Sequence, residues 1–174
     1  ALIEKHSIKY GFLKATKDIW CRDYMPIQTD KGKFIQFRYE PSYLKDEPEF
    51  QSDPKEVCKA NNINPLFSRI NLDGGNVVNW SDRAIITDRV FDENPDYSSK
   101  AKLISEIEKL FEVEIIVIPQ IKSDLTGHAD GMVRFVDRNT VLGNDREKEY
   151  KYWKIGINKI LKENGIDYID IPFL

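Results

Sequence analysis

The feature that most constrains this chain is an internal repeat with a period of about 53 residues. Four stretches pair a helix-like run with a short β-rich one: Ala1–Leu13, Lys55–Leu72, Ser99–Pro119 and Lys148–Pro172. Their strands are expected to open at Ile8, at Ile63 or Leu66, at Val113 and at Ile166, the outermost pair lying 158 residues apart over three intervals. Between them lie three hairpin-like stretches, each a polar turn flanked by β-rich runs. The turns are Thr29-Asp30-Lys31-Gly32, Ser81-Asp82-Arg83 and Asp137-Arg138-Asn139; Asp30 and Asp82 are 52 residues apart, Asp82 and Asp137 55 apart. A supersecondary unit of this size cannot bury its apolar face alone, so repeats of it stack on one another. The expected fold is α/β and a single domain: an αβ remnant over 1–14, then ββαβ units over 15–72, 73–119 and 120–174.

Local signals agree with that plan. Ser98-Ser99 offers a cap ahead of Ala101, Leu103, Ile104, Ile107, Leu110 and Phe111, whose spacing keeps one helix face apolar. A last helix is expected from about Arg146 to Glu163, presenting Tyr150, Trp153, Ile157, Ile160 and Leu161 and ending at Asn164-Gly165. Both stripes read as core packing. The run Glu114-Ile115-Ile116-Val117-Ile118 is apolar on both faces, as strands covered on two sides are. Residues 40–54, with Pro41, Pro48 and Pro54 among acidic neighbours, read as an irregular surface loop or a lid.

Composition narrows the function classes. Twenty-six Lys and Arg against 29 Asp and Glu leave a formal charge of −3, with the basic residues scattered, which argues against nucleic acid and anionic membrane as partners. The longest apolar run, Ile115–Pro119, falls far short of the roughly 20 residues a spanning helix needs. Glu4, Lys5, Lys9 and Lys14 interrupt the stretch where a signal peptide would need apolar residues, and Ala rather than Met at position 1 suggests a trimmed start. Cys21 and Cys58 are too few for a disulfide scaffold and lack metal or redox spacing, so a reducing, cytoplasmic setting is expected.

The repeat also points to a site. Just before the first hairpin strand of each unit the chain turns polar or glycine-rich: Trp20-Cys21-Arg22-Asp23, Leu72-Asp73-Gly74-Gly75-Asn76 and Thr126-Gly127-His128-Ala129-Asp130. In repeat register Asp23 corresponds to Gly75 and Gly75 to Asp130. Units arranged about a common axis would bring Asp23, Asp73 or Asn76, His128 and Asp130 to one pocket. Singly, each has a plainer reading: Asp23 in a salt bridge, Asp73–Asn76 as a turn, His128 as a satisfied loop histidine. His6 precedes a strand and reads as surface.

One imidazole with scattered carboxylates is a loose metal signal, and no metal is expected. A planar cation suits the set better, because a guanidinium offers five N–H donors in a fixed fork that paired carboxylates accept. A histidine, titrating near working pH, is the natural proton shuttle.

Trp20-x-Arg22-Asp23-x-x-Pro26, Gly74-Gly75-Asn76 and Gly127-His128-x-Asp130, in this order and at this spacing, resemble the agmatine deiminase and bacterial-type peptidyl-arginine deiminase family of guanidino-group-modifying enzymes. The resemblance covers about residues 15–145 and implies a pentein fold, an α/β propeller of five ββαβ units, about three of them present here. It implies no cofactor, a small-molecule guanidino substrate, and hydrolysis of the guanidinium to a ureido product and ammonia through a cysteine thiouronium intermediate, with agmatine as one substrate and putrescine biosynthesis as a setting. Residue by residue, it makes Asp23 and Asp130 the guanidinium-binding carboxylates and His128 the general acid/base. Trp20, Arg22, Asp73, Gly74, Gly75 and Asn76 would shape the pocket, Asp73 standing where many relatives carry Glu.

The departure lies in the nucleophile. The family's cysteine follows a His near the C-terminus, and no such sequence occurs in residues 1–174. Five units of about 53 residues need roughly 265, so this chain is expected to be part of a longer enzyme and inactive alone. The alternative is a catalytically inactive module that binds guanidino compounds. Cys21 is a second account of the nucleophile, since a strand period of two would put it on the side of Asp23. Cys58, in a helix-like stretch, reads as a buried structural thiol.

Overall fold

The computed structural model describes residues 5–29 and 32–172. Three three-stranded sheets follow one another, in orders β1-β2-β3, β4-β5-β6 and β7-β8-β9. The strands are Ile27–Gln28, Phe34–Arg38 and Leu66–Asn71; Val78–Trp80, Arg83–Thr87 and Glu114–Ile118; Val133–Asp137, Thr140–Asn144 and Asp167–Ile171. In each sheet a hairpin pairs the first two strands antiparallel, and the third returns parallel to the second. A parallel return needs a long crossover, and each unit supplies it with a helix. The crossover helices are α2 (Pro54–Ala60), α4 (Lys100–Phe111) and α5 (Lys151–Glu163); α1 (Cys21–Tyr24) and α3 (Arg89–Asp92) are single turns before and after hairpins.

The helix ends follow their sequence signals. The Asp53 carboxylate accepts from the Lys55 and Glu56 amides ahead of Pro54, and Ser99 accepts from Lys102 N–H. Helix α4 closes on Glu112 in the left-handed region at φ 58°, and α5 is followed by Gly165 at φ 62°. Helix α5 starts at Lys151 rather than near Arg146. The Arg146 guanidinium and backbone amide are held by the Asp170 carboxylate of β9, at 2.6–2.9 Å, which keeps this segment out of the helix.

Two cores lie between consecutive sheets. Ile35, Ile70, Ala84 and Ile86 meet Leu103 and Ile107 of α4 in one; Ile85, Ile116, Ile118 and Val141 meet Trp153 and Ile157 of α5 in the other. Strand β5 serves both, Ala84 and Ile86 facing one core and Ile85 the other, which is why it is buried throughout.

The expected strand at Ile8 is not formed: residues 8–14 have no regular secondary structure and are exposed, and no strand among the described residues pairs with them. Part of the helix expected before them, and Asp30-Lys31 of the first turn, lie outside the described residues. Residues 40–53 form an irregular loop containing one helical turn, Ser42–Leu44.

Candidate active site

Before each hairpin the chain makes one helical turn: Cys21–Tyr24, Gly74–Asn76 and Ala129–Gly131. Successive turns pack side by side. Asp73 and His128 precede the second and third turns with nearly the same backbone, φ −77°, ψ 141° and φ −74°, ψ 143°. Side chains at the repeat spacing therefore meet. His128 Nε2–H donates to Asp73 Oδ2 at 2.8 Å across 55 residues, and Gly75 N–H donates to Asp23 Oδ1 at 3.0 Å across 52. On the other edge of the imidazole, Nδ1 lies 3.6 Å from Asp23 Oδ1.

The glycines make this approach possible. A Cβ at Gly75 would fall 2.4 Å from His128 Nδ1 and 2.5 Å from Asp23 Oδ1, and one at Gly74 would fall 2.0 Å from the Arg22 carbonyl oxygen. No side chain fits at such distances. Asn76, 3% exposed, ties the second turn to the third: its Oδ1 accepts from Thr87 N–H at 2.9 Å and from Ala129 N–H at 3.2 Å.

A cavity of about 680 Å³ opens at this end of the molecule, lined among others by Trp20, Arg22, Asp23, Tyr43, His128 and Asp130. Asp73, Gly74, Gly75 and Asn76 stand against the lining residues, Asp73 bonding His128 and the Gly75 amide bonding Asp23. The two carboxylates expected to bind a guanidinium differ in their partners. Asp130 does not face Asp23 uncompensated: its Oδ2 is 3.0 Å from Arg22 Nε and 3.6 Å from an Arg134 guanidinium nitrogen. Arg22 also donates to the Val77 carbonyl at 2.6 Å, so one guanidinium joins all three units. The carboxylate that does flank His128 together with Asp23 is Asp73.

Electrostatics follows burial. Removal from water pushes the Asp23 carboxyl up to about 6, against the pull of the nearby imidazole. Burial alone would push the His128 imidazole down, but the hydrogen bond to Asp73 and the charges of Asp73, Asp23 and Asp130 outweigh it, and its pKa stands above the ordinary histidine value. The imidazole is thus held among carboxylates that favour its protonated form, beside an open cavity, which is the arrangement a proton donor needs.

Two lining residues carried no signal in the sequence. Tyr43 donates to Asp73 Oδ2 at 3.0 Å and stands edge-on to the His128 ring, and Tyr39 lines the same cavity. Both lie at or beyond the end of β2, where no periodicity marks a direction; only the lid-like stretch 40–54 pointed to the region. Cys21 lines the cavity and is exposed, but it lies in a helical turn, so the strand period that put it beside Asp23 does not apply. Cys58 is buried in α2, where burial pushes its thiol up. His6 is exposed. Among the described residues no group of three or more His, Cys, Asp and Glu is placed to hold a metal ion, and no helix is long and apolar enough to cross a membrane.

Over residues 4–163 the sequence matches the Porphyromonas-type peptidyl-arginine deiminases. The chain belongs to that family. Solved structures similar to this peptidyl-arginine deiminase family member include C. jejuni agmatine deiminase, at 22% identity and a TM-score of 0.69 over 90% of this chain and 51% of that one. A Cys-to-Ser variant of the C. jejuni enzyme with substrate bound matches at 21% identity and a TM-score of 0.72, over 98% of this chain and 56% of that one. The putative arginine deiminase from Porphyromonas gingivalis matches at 19% and 0.71, over 94% and 56%. No curated protein sequence matches. At these identities the likeness establishes the fold, a pentein-like α/β propeller of which about three ββαβ units are present. The family member spans about half the length of the deiminases it matches.

Proposed function

We propose that the chain supplies the guanidinium-binding and proton-transfer half of a deiminase acting on agmatine or an arginine derivative. One observation carries the reading: Asp23, His128 and Asp130 line a single cavity, and Asp130 already accepts from the guanidinium of Arg22, the same chemical group as the substrate's. Asp23 and Asp130 fix the substrate guanidinium and keep it cationic, which leaves its central carbon electrophilic. Asp130 turns from Arg22 and Arg134 toward the substrate as it does so.

The hydrolysis then balances as follows. A cysteine thiolate from outside these 174 residues attacks the central carbon, and the tetrahedral adduct expels one nitrogen as ammonia, protonated by His128. His128, now neutral, takes a proton from water as the water adds to the thiouronium carbon. Collapse of the second adduct expels the thiolate and releases the adduct's hydroxyl proton to solvent, where the ammonia takes it up as ammonium, leaving the ureido product. The free thiols Cys21 and Cys58 suit a reducing compartment, and we place the protein in the cytoplasm.

The test is ammonia release from agmatine, arginine and peptidyl arginine, with binding measured in parallel by calorimetry. The 174-residue chain is expected to bind a guanidino compound without turnover, and binding is expected to weaken in Asp23→Asn. The full-length gene product is expected to release ammonia and to lose that activity in His128→Ala. Binding by an inert full-length product would replace the enzyme with a guanidino-binding module. Turnover by the short chain that disappears in Cys21→Ser would make Cys21 the nucleophile. Neither binding nor turnover would end the proposal.

A further inference from the structure

His128 shares the Asp73 oxygen it bonds with a second donor. Asp73 Oδ2 accepts from His128 Nε2–H at 2.8 Å and from the Tyr43 hydroxyl at 3.0 Å. Two donors on one carboxylate oxygen compete: each stabilises the negative charge and so weakens the hold of that oxygen on the other donor's proton. The phenol is fit for the task at any working pH. Burial, and next the charge of Asp73, push its pKa well above the ordinary tyrosine value, so it remains a donor.

Tyr43 is also held in place by contacts that touch neither Asp73 nor His128. The Ser42 hydroxyl donates to Glu93 Oε1 at 2.6 Å and accepts from the Arg89 guanidinium at 3.0 Å. Arg89 Nε donates to Glu93 Oε1 at 3.1 Å, and its guanidinium carbon lies 5.6 Å from the centre of the Tyr43 ring. The pairing of Arg89, which opens α3, with Glu93, which caps its C-terminal end, thus fixes a residue of the first unit's loop against the pair that joins the second and third. The charged and titratable groups facing His128 are Asp73 before the second turn, Asp23 on α1, Asp130 on the third turn, Asp124 in the loop before it, and Tyr43 itself. Only Tyr43 acts on the imidazole through another side chain and carries no charge.

We propose that Tyr43 is a positioning residue of this site, which through its hydrogen bond to Asp73 sets how tightly His128 holds its proton. The inference rests on the deiminase reading only in calling that proton catalytic. Its content is the coupling of three side chains, and it is measurable without turnover. Removing the hydroxyl leaves Asp73 with a single donor, so His128 holds its proton more strongly.

The chain has two histidines, His6 and His128, so a proton-detected titration of the imidazole resonances reads the effect directly, with His6→Gln giving the assignment. The titration midpoint of His128 is expected to move upward in Tyr43→Phe while that of His6 stays. In an Asp73→Asn background the same Tyr43→Phe change is expected to leave His128 where Asp73→Asn alone puts it. Ser42→Ala, which removes the hydroxyl's bonds to Glu93 and Arg89 while the Ser42 backbone amide keeps its own to Glu93, loosens the loop and keeps Tyr43; it is a second route and is expected to move His128 upward as well. An unmoved His128 in both Tyr43→Phe and Ser42→Ala, or an equal shift with and without Asp73, overturns the proposal. A shift seen in the chain whose full-length form neither binds nor turns over guanidino compounds would support the coupling and sink the deiminase reading, so the two fail separately.

Discussion

The second and third helical turns meet through a closed junction, the first and second through an open one, and the chemistry of the two differs accordingly. At the closed junction Asn76 is buried and its neutral amide oxygen accepts two backbone N–H groups. At the open one Asp23 meets the Gly75 amide with a carboxylate that lies in the cavity wall. Both side chains do the same structural work, accepting from the backbone of the next unit. An amide does it where nothing else is asked, since burying a charge there would cost several kcal/mol. A carboxylate does it where a cation can reach the site, and the cost shows as the raised pKa of Asp23. Structural acceptors and functional acceptors are thus told apart by access to the cavity, not by their place in the repeat.

The largest effect should come from opening the closed junction. Asn76→Ala strands the amides of Thr87 and Ala129 in a buried position, and about 2–4 kcal/mol of unfolding free energy should be lost in urea titrations. A loss below about 1 kcal/mol would mean that water replaces the amide oxygen and that the junction is not closed. Gly75→Ala comes next. Its methyl group would overlap both Asp23 and His128, so the turn must shift at a cost of about 1–3 kcal/mol, and the His128 resonance should move with it.

Asp23→Asn is expected to have a smaller effect, and one that depends on pH. Because the folded-state pKa of Asp23 is raised to about 6, its contribution to stability is fullest below the ordinary value of 3.8 and is lost as pH rises through about 6. His128, also raised, contributes in the same direction, its share being full below 6.5 and lost as pH climbs through its folded value. Melting temperatures should therefore fall between pH 4 and pH 8, and Asp23→Asn should flatten the first part of that fall while weakening guanidinium binding. A variant with an unchanged pH profile would show that Asp23 is not desolvated, which removes the contrast with Asn76. Smallest is Arg22→Met. The half-exposed pair with Asp130 contributes at most about 1 kcal/mol, but guanidinium affinity should rise at low salt, since an internal competitor for Asp130 has been removed. Equal affinity in the variant would mean that Arg22 orients Asp130 rather than competing for it.

How much of this was legible in the sequence can be followed along particular residues. The spacing of Asp23, Gly75 and Asp130 was visible, and the contacts that join the units run at that same period, Asp23 to Gly75 at 52 and Asp73 to His128 at 55. The crossover helices were visible because Leu103, Ile107 and Trp153, Ile157 recur at helical intervals, and the fold class followed from them. Tyr43 was not visible. It sits in a proline-flanked loop with no period, and its importance comes from a hydrogen bond to a residue 30 positions away.

By itself the sequence determined the unit, its repetition and the residue types that would gather where the units meet, because those rest on local periodicity and on what glycine and capping residues permit. Only the tertiary structure decided which carboxylate faces which partner: Asp73 rather than Asp130 bonded to His128, Asp130 in the hands of Arg22, and the Gly75 amide on Asp23. The physical reason is that a side-chain contact across units depends on the angle between neighbouring turns and on ångström-scale offsets, neither of which is encoded in any one stretch of chain, whereas hydrogen bonds and ion pairs form or fail over distances of that size.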